Sequence, residues 1–192
     1  MNSKISKILE DISKKREELY LEYEKLREKY GFHFANGKIV FNSEAKKKNR
    51  SFKESILNYL FSSQVRHLLS LPFIYMMIIP TVILDLFLSV YQHICFRLYH
   101  IPLVNRSEYI TAERKQLDYL NVIQKFHCLY CSYVNGIFSF AVEVGGRTEK
   151  YWCPIKHAKK MRGGHDWEKH FADYGDPEGF KECFMSNKEF KK

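Results

Sequence analysis

Apolar and polar positions alternate with different periods in successive stretches of the chain, and each change of period marks an element. Ile5, Leu9, Ile12, Leu19, Tyr23, Leu26 and Tyr30 recur at steps of three and four, missing only at Arg16, with Glu and Lys between them. That spacing puts one apolar stripe along an α-helix, which ends at Gly31, a residue able to adopt the left-handed conformation that terminates helices. The stripe either packs on the body of its own chain or joins two copies as a homo-oligomer through residues 5–30, in a short coiled coil. In FHFANGKIVF the period falls to two around Asn36-Gly37, a pair suited to a two-residue hairpin turn because both residues accept positive φ.

From His67 to Phe96 the chain carries no Lys or Arg, and Asp85 is the one formal charge. A helix through those thirty residues is about 45 Å long, enough to cross a hydrocarbon core of about 30 Å with tilt, whereas two spans do not fit. Pro72 and Pro80 each remove a helical hydrogen bond, so the segment also suits a bent, re-entrant hairpin that enters and leaves by the same face. Flanking positive charge is nearly balanced: Lys47, Lys48, Arg50, Lys53 and Arg66 on one side, Arg97, Arg106, Arg114 and Lys115 on the other. Balance of that kind fits two cytosolic flanks and tilts the expectation toward the hairpin. A buried core helix is the weaker alternative, since core helices are seldom so long and so free of charge. Asp85, Ser89 and Gln92, with Tyr99, fall on one stripe that turns away from lipid. Such a polar membrane site either has a function or hydrogen-bonds the backbone that the prolines free.

After Ile101-Pro102 the pattern becomes mixed, and TAERKQLDYLNVIQKF reads as a helix with Thr111 as N-cap and Leu117, Leu120, Ile123 and Phe126 toward a core. Directly afterwards come two ligand pairs. Cys128 and Cys131 have the C-x-x-C spacing that folds two thiolates onto one ion, and Cys153 and His157 would project from a short helix opened by Pro154. Twenty-one residues separate the pairs, an ordinary loop for a structural site. Three thiolates and one imidazole suit zinc, with iron or an iron–sulfur cluster as the alternative; His127 is the alternate fourth ligand. Tyr130, Tyr133, Tyr151 and Trp152 crowd these residues and restrict water, which favours a structural or electron-transfer site over hydrolysis. The run Arg147-Thr148-Glu149-Lys150 either orients the ligands or forms a solvated face. Beyond Met161 the sequence turns polar, and Gly175–Lys192 reads as a poorly ordered tail.

Charge and cysteine content refine this picture. The net charge of +9 is spread over both flanks of the apolar segment, 15 basic against 9 acidic residues up to His67 and 16 against 12 from Phe96 onward. A diffuse excess suits an anionic membrane surface better than a nucleic-acid groove, and the stretch after Cys153 offers a groove only Lys156, Lys159, Lys160 and Arg162. Nucleic acid is therefore not the expected partner. MNSKISKILEDISKKREELY lacks the apolar region of a secretory signal, and the five cysteines read as reduced thiols in a cytosolic setting.

From about Arg66 to Lys160 the chain resembles a bacterial family of small membrane-associated proteins, on its C-x-Y-C-x-Y-x-N-G stretch at Cys128–Gly136 and its Y-W-C-P-I-K-H stretch at Tyr151–His157. The resemblance implies membrane association at a bacterial inner membrane and nothing about a substrate. Where that family has a helix-friendly stretch ahead of R-T-E, this chain has Val144-Gly145-Gly146, which predicts an interrupted helix. The expected architecture is mainly α, in five segments: an amphipathic helix (1–31), a small β-hairpin and basic linker (32–66), a proline-bent membrane helix or re-entrant hairpin (67–100), a small α-rich metal-stapled module facing the cytosol (101–165) and a polar tail (166–192). The expected role is an integral membrane protein that binds or positions a protein partner without catalysis; the alternative is a membrane-associated redox protein with iron at the cysteines.

Overall fold

The computed structural model describes residues 3–35, 38–62, 64–159 and 162–187. It is mainly helical with one two-stranded antiparallel sheet, and it divides into two compact units, Met1–Ser62 with Glu113–Lys125, and Ser63–Ala112 with Phe126–Lys192.

In the first unit the long helix α1 (Ser3–Tyr30) stops at Gly31, whose φ of 63° is left-handed. Only glycine suits this point for a second reason: a Cβ would lie 2.7 Å from the Asn42 side-chain nitrogen. Strands β1 (Phe32–Ala35) and β2 (Lys38–Phe41) pair with Phe32 opposite Phe41 and Ala35 opposite Lys38. The hairpin expected from sequence is present, although its turn residues Asn36 and Gly37 lie outside the described residues. Asn42 accepts a hydrogen bond from the Ala45 amide at 2.7 Å and so caps α2 (Ser43–Ser51). After α3 (Ile56–Ser62) the unit is completed by a 3₁₀ turn at Glu113–Gln116 and by Asn121.

The expected helix with Thr111 as its cap does not form. Asn121 caps instead: its Oδ1 accepts from the Gln124 amide at 2.9 Å while Gln124 Oε1 accepts from the Asn121 amide at 2.9 Å, a reciprocal capping box. From there α6 (Val122–Trp152) runs unbroken for 31 residues, straight through Gly145-Gly146, so the interruption predicted there is also corrected.

In the second unit the apolar segment is one helical path, Val65–Phe96, 32 residues long, and long and apolar enough to cross a membrane. It consists of α4 (Val65–Met76), a slight irregularity at Met77, α5 (Ile78–Tyr91) and a π-helical turn at Gln92–Phe96. The re-entrant hairpin is overturned by the backbone at Met77. With φ −63° and ψ −12° it stays right-handed helical, and one such residue does not reverse a chain. The helix tolerates Pro80 because it lies in the first turn of α5, where a backbone N–H would have no partner within that helix.

The path ends at His100, a non-glycine residue with φ 57°. From there the chain runs back along α5, and α6 then lies parallel to α5. Tyr75 is beside Phe126 and Tyr130, with ring centroids 5.4 and 5.0 Å apart, Asp85 meets Tyr133, Tyr91 meets Thr148, and Tyr99 meets Tyr151. Phe96, Ile101, Val104, Phe140 and Val144 form the core between the two helices and the returning segment. A 3₁₀ helix follows at Asp166–His170, and the expectation of a poorly ordered Gly175–Lys192 is corrected where α7 (Pro177–Asn187) occupies it, 188–192 lying outside the described residues.

Candidate functional site

The two halves of the apolar path present different surfaces. Around α4 nearly every apolar side chain is open, with Leu69 68% and Phe73 70% exposed. On α5 one face is covered, comprising Thr81, Asp85, Leu88, Gln92 and, one turn on, Phe96, while Val82, Ile83, Leu86, Phe87 and Val90 remain exposed on the other. An apolar surface this extensive is rare on a water-soluble monomer. Next to it, Tyr75, Ile78, Ile110, Phe126, Leu129 and Tyr130 wall a groove of about 540 Å³ that is lined almost wholly by apolar atoms.

The covered face of α5 is the stripe read from sequence, and its partners are now visible. Asp85 accepts two hydrogen bonds from Arg106, from Nε at 2.8 Å and from Nη2 at 2.5 Å, and a third from the Tyr133 hydroxyl at 2.9 Å. Gln92, 3% exposed, accepts from the Val104 amide at 3.0 Å, and Tyr99 stacks on Tyr151. The proline-freed backbone is not what this stripe serves; it fastens the returning segment and α6 to α5. Tight pairing holds the Arg106 guanidinium above its ordinary pKa, and burial followed by the bond to Asp85 raises the Tyr133 phenol.

Close backbone approach makes this packing compact. A Cβ on Gly136 would stand 2.7 Å from the Tyr109 carbonyl oxygen, and one on Gly146 would stand 2.5 Å from the His165 ring, whereas Gly145 has open space around it. Gly136 and Gly146 therefore serve packing on the inner face of α6, a role that their helix-breaking reputation hides in the sequence.

The run at Arg147–Lys150 is packed rather than solvated, and of the sequence-predicted ligands it reaches His157, whose Nε2 lies 3.9 Å from Glu149 Oε1. Arg147 donates to Glu143 at 2.7 Å and to the Pro102 carbonyl at 2.7 Å; the Thr148 hydroxyl is 3.0 Å from that of Tyr91; Glu149 holds His165 Nε2 at 2.7 Å. Trp167 closes the group by donating to Glu143 at 3.1 Å, beneath the Lys150 ammonium 4.5 Å above its ring. Burial first, and Arg147 second, lowers the Lys150 pKa.

The four sequence-predicted ligands are not brought together. Cys128 and Cys131 sit in the first half of α6, while Cys153 and His157 follow its last residue. At about 1.5 Å per residue, the helix places about 30 Å between Cys131 and Cys153, so no single ion reaches both pairs. The sequence reading took the intervening residues for a loop. Nor does a helix open at Pro154: the Pro154 carbonyl and the Lys156 amide pair with Ala172 at 2.9 and 2.8 Å, so residues 154–156 are extended. His127 packs against the Tyr75 ring, 5.8 Å away. Among the described residues no group of three or more His, Cys, Asp or Glu side chains is placed to hold a metal ion. Neither zinc nor an iron centre fits these residues as one site.

Compared with protein-family models, with curated proteins and with solved structures, the chain matches none.

Proposed function

We propose that this chain is a membrane-anchored protein with a non-enzymatic binding or positioning role, held in lipid by the Val65–Phe96 helix. The observation that carries the reading is the asymmetry of that helix. Large apolar side chains surround most of α4 and cover the outer face of α5, while Asp85 and Gln92 find their partners on the inner face. Burial of apolar surface is worth about 25 cal/mol per Å², so leaving this face in water is costly and hydrocarbon is its natural solvent. In this reading α4 is immersed except near Ile74 and Tyr75, where α6 meets it, and α5 offers lipid its outer face and carries the folded unit on its inner one. Five unpaired cysteines and basic flanks suit the cytosolic side of a bacterial inner membrane, the home that the family resemblance implies.

A binding role is favoured over catalysis because the polar side chains that converge at Asp85 and at Glu149 are engaged with one another. The redox alternative required all four ligands at one centre and loses its support with them. The test is extraction of membranes with alkaline carbonate: the full chain is expected to stay in the membrane pellet, and full release into the supernatant would overturn the anchor.

A further inference from the structure

One part of the surface beside the apolar path is concave. The groove walled by Tyr75 and Ile78 on one side and by Phe126, Leu129 and Tyr130 of α6 on the other encloses about 540 Å³, and every residue of its lining belongs to the second unit. Both tyrosine hydroxyls that α6 brings to this wall are engaged elsewhere: that of Tyr130 donates to the Ile74 carbonyl and that of Tyr133 to Asp85 at 2.9 Å. No charged side chain lines the groove, and the surface it presents is almost wholly apolar. Ordered water is held by several polar partners at once, and these walls offer almost none.

Position along the helix decides what fills it. The Val65–Phe96 path is 32 residues long, and a hydrocarbon core of about 30 Å is crossed by about 20 residues. Every run of about 20 residues within the path contains Ile78, whichever end emerges among the headgroups. For any such insertion the Ile78 wall therefore stands at hydrocarbon depth, among acyl chains. A cleft left empty there would forfeit dispersion contacts along both walls. An acyl chain is the component of that medium that restores them.

We propose that this groove holds an acyl chain of a membrane lipid, laid between the junction of α4 with α5 and the first half of α6. The proposal rests on the anchor reading, from which it takes the depth of Ile78. Recognition is of the chain alone: with no charge in the lining, the groove selects no headgroup.

The test uses the full chain in vesicles of phosphatidylethanolamine and phosphatidylglycerol that contain a phospholipid with a photoactivatable diazirine in mid-chain, with cross-linked positions mapped by mass spectrometry. Cross-links are expected at Phe126, Leu129 or Tyr130 in the groove and at the exposed Leu86 and Phe87 on the outer face of α5. Ala112→Phe and Ser132→Phe each fill the groove from a different wall. Either is expected to reduce the groove cross-links several-fold and to leave those on α5 unchanged, with wild-type resistance to limited proteolysis showing that the unit is folded. Cross-links absent from both places overturn the anchor and the groove together. Cross-links on α5 with none in the wild-type groove, the pattern that a covering stretch of protein would give, overturn the acyl-chain site and leave the anchor standing. Groove cross-links that persist undiminished in a folded filler variant overturn the site as well, and the wild-type pattern decides even where a filler fails to fold.

Discussion

α4 and α5 are similar in composition and different in what surrounds them. Both are apolar, both contain or follow a proline, and they continue one another along a single path. α5 and the π-helical turn after it also carry Asp85, Ser89 and Gln92 on one stripe, and along that stripe protein covers them; α4 has no such stripe, and protein leaves it almost bare. Polar residues in an apolar helix thus mark the side where its protein partners lie, and their absence marks a helix left to the surrounding solvent.

The sharpest way to break this contrast is to charge the bare half. Leu69→Lys/Phe73→Lys is expected to cost about 3 kcal/mol of insertion free energy for each lysine placed deep in lipid, and to move the chain out of the carbonate-resistant fraction. Its folded unit should keep wild-type resistance to limited proteolysis in detergent, since neither side chain is packed on it.

A second group of changes attacks the covered half. Arg106→Ala leaves the Asp85 carboxylate, 14% exposed, without its main partner. Removal of one member of a fully buried pair costs about 3–5 kcal/mol, and the 44% exposure of Arg106 reduces the expected loss to about 2 kcal/mol in denaturant unfolding. Gly136→Ala is expected to cost about 1–3 kcal/mol, because its methyl group meets the Tyr109 carbonyl, a backbone atom. Gly145→Ala, nine residues further along the same helix, is expected to stabilise by about 0.5–1 kcal/mol, since nothing opposes its Cβ and alanine favours helix. Equal effects at the two glycines would show that the close approach at Gly136 is not formed.

Cysteine substitution sharpens the assignment of α6. If its two ends are as far apart as the helix dictates, Cys128→Ser, Cys131→Ser and Cys153→Ser each leave the metal content of purified protein unchanged by elemental analysis. Loss of stoichiometric zinc in all three would require the helix to break.

The smallest effect is expected at Lys150. Its pKa is lowered in the fold, so the unfolded chain binds more protons between that lowered value and the usual 10.5, and stability rises with pH across that window. Lys150→Met is expected to remove this slope, detectable as unfolding midpoints that no longer rise with pH relative to wild type.

Sequence made the periodic features legible. The 4-3 spacing of α1, its stop at Gly31, the alternating strands around Asn36-Gly37 and the inward stripe on α5 each depend on local rules that the packing did not override. What stayed hidden depended on distant partners. Arg106 lies twenty-one residues from Asp85 in a stretch without periodicity, so nothing local announced the pair. Gly145-Gly146 looked like a break because helix propensity is weak there, yet contacts of Gly146 and its neighbours hold the helix together. The C-x-x-C spacing suggested a turn that brings thiolates onto one ion; on a helix the same spacing places both thiols on neighbouring turns. One signal was available and unused: Asn121 followed by Gln124 is a capping-box pair, and it dates the start of α6 correctly where Thr111 did not.

The parallel arrangement of α5 and α6 also sets an order of assembly. Neighbouring antiparallel helices need only a short loop, but parallel ones need the chain to travel the length of the first helix before the second begins, and contacts of such separation form late. On a ribosome α5 is complete before Arg106 has been made, and well before Tyr133 and Thr148. During that interval the inner face of α5, Asp85 included, has no cover from its own chain, so the returning segment is the first element able to relieve it and α6 the second. Direction of synthesis and direction of packing thereby coincide, and the unit closes from His100 back toward Ile110 before α6 seals it.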